Sequence, residues 1–164
     1  MGHALPRVRA CARTPPLTDA LRRFEQYFAL LANAQFLLRD EEHFFEQLRE
    51  KRRHYMELGK EIDFFIVPEP AFVYANPNEY ANVGKPCAAL ISSDETWITF
   101  MKLRIDKVRL VELGQCAPEE ALKSSRDIPD FSKPERWTAP YLQYSPGWWR
   151  SFVPEEAKDV VAVN

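Results

Sequence analysis

Helices that hold a metal through carboxylate and imidazole use an acid followed three residues later by His, so that both side chains project toward one ion. Asp40 and His43 have that spacing, but they stand at the start of a helical pattern, and His54 is preceded three residues earlier by Lys51. With no second half-site, no metal is expected. Ser92 and Ser93 close an apolar run, but no buried base can be placed beside either hydroxyl to make it a nucleophile. The five glycines form no phosphate loop, dinucleotide fingerprint or nucleophile elbow. The three cysteines, at 11, 87 and 116, are odd in number and make no C-x-x-C pair, which argues against a disulfide framework or zinc site and for a reducing compartment. The expectation is a chain that is not an enzyme, with no catalytic residue, no metal and no cofactor.

What remains is binding chemistry. KEIDFFIV (60–67) puts Asp63 directly ahead of an apolar run that begins at Phe64, KLRID (102–106) places Arg104 at the end of a helix, and the C-terminal part carries Trp148 and Trp149. Spacing leaves three readings of Asp63 open: it starts a strand, it holds a neighbouring cation such as Lys, or it faces a partner protein. Arg104 reads either as a solvated helix-terminal cation favoured by the dipole or as part of that same patch. A mutual pair between the two is a further option, because the planar guanidinium fork suits a carboxylate better than an ammonium does.

The elements that must position these residues follow from periodicity. Gln26–Ala34 reads as a largely buried strand. Asp40, Glu41 and Glu42 place negative charge where a helix begins, and that helix runs to about Leu58, with Phe44 or Phe45, Leu48, Tyr55 and Leu58 at helical spacing and a basic face of Arg49, Lys51, Arg52 and Arg53. Gly59 supplies the stop. A second strand spans Ile62–Val67, closed by Pro68 and Pro70. After a long turn-rich connection, Cys87–Ser92 reads as an interior strand. Ser93 or Asp94 caps a helix from Glu95 to about Ile105, and Lys107–Leu113 alternates as a strand with one wet face. The order is βαββαβ, an α+β fold of the ferredoxin-like kind, with an antiparallel sheet and helices packed on one face. Residues 117–124 hold a short helix opened by Pro118. Beyond the 26–126 domain, a Pro-rich and aromatic-rich extension (127–164) contains Trp137, Tyr141, Tyr144, Trp148, Trp149 and Phe152, which is too much apolar ring surface for a free linker. It is expected to strap across the body or to offer a secondary interface through Trp148 and Trp149.

Charge narrows the partners. Residues 1–25 form a basic, nearly acid-free tail with the bias of an organelle transit remnant or of a disordered arm, and five of the chain's Arg lie within residues 1–23 beside the single acid Asp19. The remaining body is acidic, 17 basic side chains against 23 acidic, and a poor match to a polyanion. The RNA recognition fold shares the element order but exposes aromatics on its central strands, and CAALIS has no ring. No nucleic-acid partner is expected. The apolar run 27–38, broken by Asn33 and Gln35, is too short to span a bilayer.

EKRRHY, KEIDFF, PAF, AALISS and TWITFMKLRID, followed by WTAPYLQYSPGWWRSF, resemble in order the auxiliary subunit of the magnesium-protoporphyrin IX monomethyl ester oxidative cyclase, the low chlorophyll accumulation A type of the plant and algal branch. The resemblance covers roughly residues 26–153. It implies an antiparallel sheet flanked by helices and a scaffold or assembly role toward the membrane-associated diiron cyclase subunit in chlorophyll biosynthesis. It also implies a chloroplast location, in the stroma and at the thylakoid or envelope periphery, with membrane association only through the partner. Partner contact is implied for Asp63, Phe64 and Arg104. Phe65 departs from the Trp usual at its position. The rival expectation is a stromal protein that binds a tetrapyrrole through the aromatic extension, or an enzyme that acts on a chlorophyll precursor.

Overall fold

The computed structural model describes residues 25–160. The expectation for a basic tail or transit remnant falls on residues outside that range. The chain forms β1 (Glu25–Asn33), α1 (Phe44–Leu58), β2 (Phe64–Pro68), α2 (Ala71–Ala75), β3 (Cys87–Ser92), α3 (Glu95–Arg104), β4 (Arg109–Cys116), α4 (Pro118–Ala121) and α5 (Glu155–Lys158). A π-turn (Phe36–Asp40) precedes α1, and a 3-10 turn (Trp148–Phe152) precedes α5. The strands lie in the order β2-β3-β1-β4, and every neighbouring pair is antiparallel. It is an α+β fold: β1 and β2, joined through α1, are separated in the sheet by β3.

The two central strands explain the layering. Residues 27–32 of β1 and all six residues of β3 are buried, so neither strand has a wet face. Alternation sends Phe28, Leu30 and Ala32 to one side, where α1 (Phe44, Leu48, Tyr55) and α3 (Ile98, Met101) pack on them. Tyr27, Ala29 and Leu31 point to the other side. Helices on one face only would have left that second apolar surface in water, and the structure corrects the expectation: Val73 of α2, Tyr80 from the segment after it, Ala121 of α4 and Leu122 close the second face. The edge strand β4 keeps the alternation of a half-wet strand.

Local signals set most boundaries. Gly59 takes φ 69°, and the Lys60 and Gly59 amides donate to the Tyr55 and Met56 carbonyls, the double bond of a Schellman end. The Asp94 carboxylate accepts from the Trp97 amide at 3.1 Å and caps α3. Two expectations shift. The acids at 40–42 do not open α1, because residues 36–40 are already spent in the π-turn, which the Glu41 amide closes on the Phe36 carbonyl. Glu41 then accepts from the His43 amide, and Glu42 accepts from both the amide and the hydroxyl of Thr138. β4 starts at Arg109 rather than Lys107, since Lys107 sits in the left-handed region at φ 63°, which no strand residue adopts.

The C-terminal extension is packed against the body. The Trp148 indole donates to the Leu38 carbonyl at 3.0 Å and the Tyr141 hydroxyl to the Glu42 carbonyl at 2.8 Å. Arg150 is held by Asp127, Asp130 and the Ile128 carbonyl. Trp149, Phe152, Val153 and Ala157 complete the core on the α1–α3 face.

Candidate docking site at the mouth of β2

Between the Gly59 stop and the first residue of β2, four residues carry the chain from the end of α1 to the sheet edge, and Asp63 is the last of them. The Ser93 amide donates to its carbonyl, which pins this approach to the turn that opens α3. One carboxylate oxygen of Asp63 accepts from the Tyr55 hydroxyl at 3.2 Å, and that hydroxyl in turn accepts from Lys60 at 3.4 Å. The Lys51 ammonium lies over the rings of Tyr55 and Trp97, at 4.7 and 4.5 Å, and 3.8 Å from Asp94. Burial pushes the Tyr55 hydroxyl well above its usual value, and the neighbouring Asp63 charge adds to the effect. Burial lowers Lys51, partly offset by Asp94 and Asp63.

The other oxygen, Oδ1 of Asp63, is buried and has no hydrogen-bond partner. Leaving such an acceptor unsatisfied costs about 1–3 kcal/mol, and more when it is charged. Asp63 lines a cleft of about 170 Å³ together with Tyr27, Ile62, Phe65 and Ser93, and two further acids, Glu25 and Glu156, stand on its walls. The arrangement asks for a hydrogen-bond donor, and a cationic one fits best.

Phe64 is not part of that surface. It is 0% exposed, with its ring against Tyr55, Trp97 and Phe152 at centroid distances of 5.7, 5.1 and 6.1 Å. The expected direct contact through Phe64 therefore does not exist while these rings cover it. Strand alternation is the reason: Phe64 and Ile66 share the inward face, and the half-buried Phe65 is the ring that reaches the cleft. Trp149 is likewise core, 1% exposed, with its indole nitrogen buried and unpartnered. Trp148 is spent on Leu38 and on the rings of Phe44 and Phe45. Trp149 is therefore internal packing, whereas Trp148 is half-buried and keeps part of its indole at the surface.

Arg104 is exposed, with its guanidinium 5.2 Å from the Phe100 ring centroid. It forms no pair with Asp63, because the two stand at opposite ends of α3: Asp63 is bonded to the turn before the helix, and Arg104 is its last residue. Ten helical residues separate them by about 15 Å. Between them α3 shows two apolar sides. Ile98 and Met101 are buried, whereas Phe100 is 43% and Leu103 81% exposed. Phe100, Leu103 and Arg104 thus group along the exposed side of α3, while Asp63 stands apart beside the turn that opens the helix. Tyr55, Lys51, Lys60 and Phe65 belong with Asp63 and had no signal of their own in the sequence except, for Phe65, the strand parity. Among the described residues no group of three or more His, Cys, Asp or Glu side chains is placed to hold a metal, and no helix is long and apolar enough to cross a membrane.

Residues 25–114 match the family model described as Ycf54 protein. The chain belongs to the Ycf54 family. It is 42% identical over 134 residues to the Arabidopsis thaliana protein called "Protein YCF54, chloroplastic", an alignment that takes in 82% of this chain and 64% of that one. This chain therefore spans less than two thirds of its Arabidopsis relative. It is 40% identical over 98 residues to the "Ycf54-like protein" of Synechocystis, which covers 58% of this chain and 71% of that one. The crystal structure of the Ycf54 protein from Thermosynechococcus elongatus superposes with a TM-score of 0.53 at 41% identity, over 61% of this chain and 94% of that one. The remaining 39% of this chain lies outside that superposition.

Proposed function

We propose that this Ycf54 chain is a non-catalytic auxiliary subunit that docks on the diiron subunit of the magnesium-protoporphyrin IX monomethyl ester oxidative cyclase and supports its assembly in the chloroplast, at the stromal side of the thylakoid or envelope. The observation that carries the reading is the doubled apolar character of α3. A helix already seated on the sheet through Ile98 and Met101 holds Phe100 and Leu103 out in water beside Arg104. Large apolar side chains grouped on an exposed helix face, with an Arg at the end, are the composition of an interface centre. Asp63, at the turn that opens α3, adds a carboxylate with one unpartnered oxygen. The Arabidopsis relative, named chloroplastic, supports the compartment.

The test is affinity for the purified diiron subunit. Leu103→Ala and Arg104→Ala, both at exposed positions, are each expected to cost on the order of 2 kcal/mol, about thirtyfold in Kd, without change in melting temperature. Asp63→Asn, which keeps size and removes charge, is expected to weaken binding in the same direction. Unchanged affinity in all three, with the fold intact, removes the reading.

A further inference from the structure

The edge strand β4 parts from β1 before β1 ends. Their ladder stops at the pair Leu31–Arg109, whereas β1 runs on against β3 through Ala32 and Asn33. In that register Lys107 would face Asn33, but at φ 63° it turns the chain away. A cavity of about 310 Å³ fills the gap and is also lined by Asn82, Val83 and Gly84. Its polar groups favour one sign of charge. Asn33 Oδ1 accepts from the Phe36 amide at 3.2 Å, which leaves the Nδ2 end of that side chain as a donor. Gly84 lies so close that a Cβ on it would stand 2.6 Å from this nitrogen. Lys107, with its ammonium 5.5 Å from the Phe36 ring centroid, has no ion pair among the described residues. The Arg109 guanidinium donates to the Glu79 carbonyl at 2.8 Å and to its carboxylate at 3.4 Å, and it lies 4.8 Å from the Tyr80 ring centroid. Those contacts hold the fork in place and leave further N–H groups uncommitted. No acid lines the cavity, on a body that carries 23 acidic side chains against 17 basic. Its remaining walls are apolar: Leu31, Ala32 and Val108 are all buried.

We propose that this notch binds a small organic carboxylate. The charged group sits between Lys107 and Arg109 and accepts from Asn33 Nδ2, and a short hydrocarbon stem covers Leu31, Val83 and Val108. Apolar walls with a few placed polar groups are the usual make-up of a small-molecule site of this size. The walls also select the class. Inorganic phosphate carries oxygen on every side and leaves them wet, whereas a carboxylate with a stem is charged at one end only. The left-handed Lys107 fits the same use, since residues held in sparsely populated backbone regions concentrate where ligands are clamped. The acidic side chain of a protein brings the same charged group, but with a backbone attached, and an assay with both forms tells the two sources apart. No partner subunit enters the site, so it stands or falls independently of the docking reading.

The experiment is an NMR titration of the full, nitrogen-15-labelled chain at constant ionic strength with butyrate, acetate, inorganic phosphate and N-acetylglutamate α-amide, the last standing for a protein side chain. Butyrate is expected to give saturable shifts at the Asn33 side-chain amide, at Gly84 and at residues 107–109. Each buried methylene tightens binding about fourfold, so butyrate is expected to bind about fifteenfold more tightly than acetate when both of its extra methylenes are covered. Lys107→Asn removes the charge and keeps a residue that tolerates the left-handed region; it is expected to weaken butyrate about tenfold with the melting temperature unchanged. Arg109→Gln is expected to do the same to affinity and carries the test should Lys107→Asn disturb the fold. Shifts that do not saturate, or that spread over lysines elsewhere, overturn the site. So does butyrate affinity that is the same in both variants as in wild type. Equal affinity for acetate and butyrate, or tighter binding of phosphate or of N-acetylglutamate α-amide than of butyrate, overturns the ligand assigned to it.

Discussion

Phe64→Ala separates a core ring from a contact ring. The side chain has no exposed surface and is enclosed by Tyr55, Trp97 and Phe152, with Ile66 beside it on the same face. Truncating a buried Phe to Ala removes its transfer free energy and leaves a cavity, together about 3–5 kcal/mol. That is a large share of the roughly 5–15 kcal/mol that holds a domain folded. For a chain of this length the melting temperature is expected to fall by roughly 6–20 °C. Urea unfolding followed by tryptophan fluorescence is the assay, since Trp97 borders the site and Trp149 belongs to the same core. The expected result is a lower midpoint with the slope unchanged, and a smaller loss for Phe64→Leu, which keeps most of the volume. A midpoint that does not move, together with lost partner affinity, refutes the reasoning and returns Phe64 to the surface.

Two further outcomes follow from the buried ionisable groups. Tyr55 is held above its ordinary value in the folded chain, so below pH 10 it adds no pH dependence; as pH rises past 10 the unfolded chain ionises first and stability falls. Tyr55→Phe is expected to flatten part of that alkaline loss while costing about 1–3 kcal/mol at neutral pH, because Asp63 loses its hydroxyl donor. A pH titration of the urea midpoint from 8 to 12 reads both effects, and an unchanged alkaline slope contradicts them. Cys87 is buried, and burial, reinforced by the Glu69 carboxylate, pushes its thiol up to about 12. It is expected to resist a disulfide reagent at pH 8 in the folded chain and to react promptly in urea. Fast labelling of the native thiol contradicts that placement.

Strand and helix types were legible because their residues obey one period each. CAALIS is apolar up to its final Ser92 and became a central strand with identical ends, and Asp94 capped α3 where its spacing from Trp97 allowed. The second layer was not legible: Pro118 marked α4, but neither it nor α2 is long enough to show by its period which face it packs on. The site was half legible. Asp63 and Arg104 stand at opposite ends of α3, and the stretch KEIDFF alone does not say which of the two phenylalanines turns inward. That follows from Ile66 being the next core residue on the same side. The extension's rings read as adhesive because sequence does not distinguish a surface that awaits a partner from one already satisfied in cis. Trp149 at 1% exposure is the satisfied kind.

The most direct measurement is a hydrogen-exchange footprint of the chain in complex with the purified diiron cyclase subunit. The account expects slowed exchange at residues 60–65 and along α3 to Arg104, and no change at α2 and α4 on the opposite face. Protection centred on α2 and α4, or a complex that leaves α3 untouched, contradicts it.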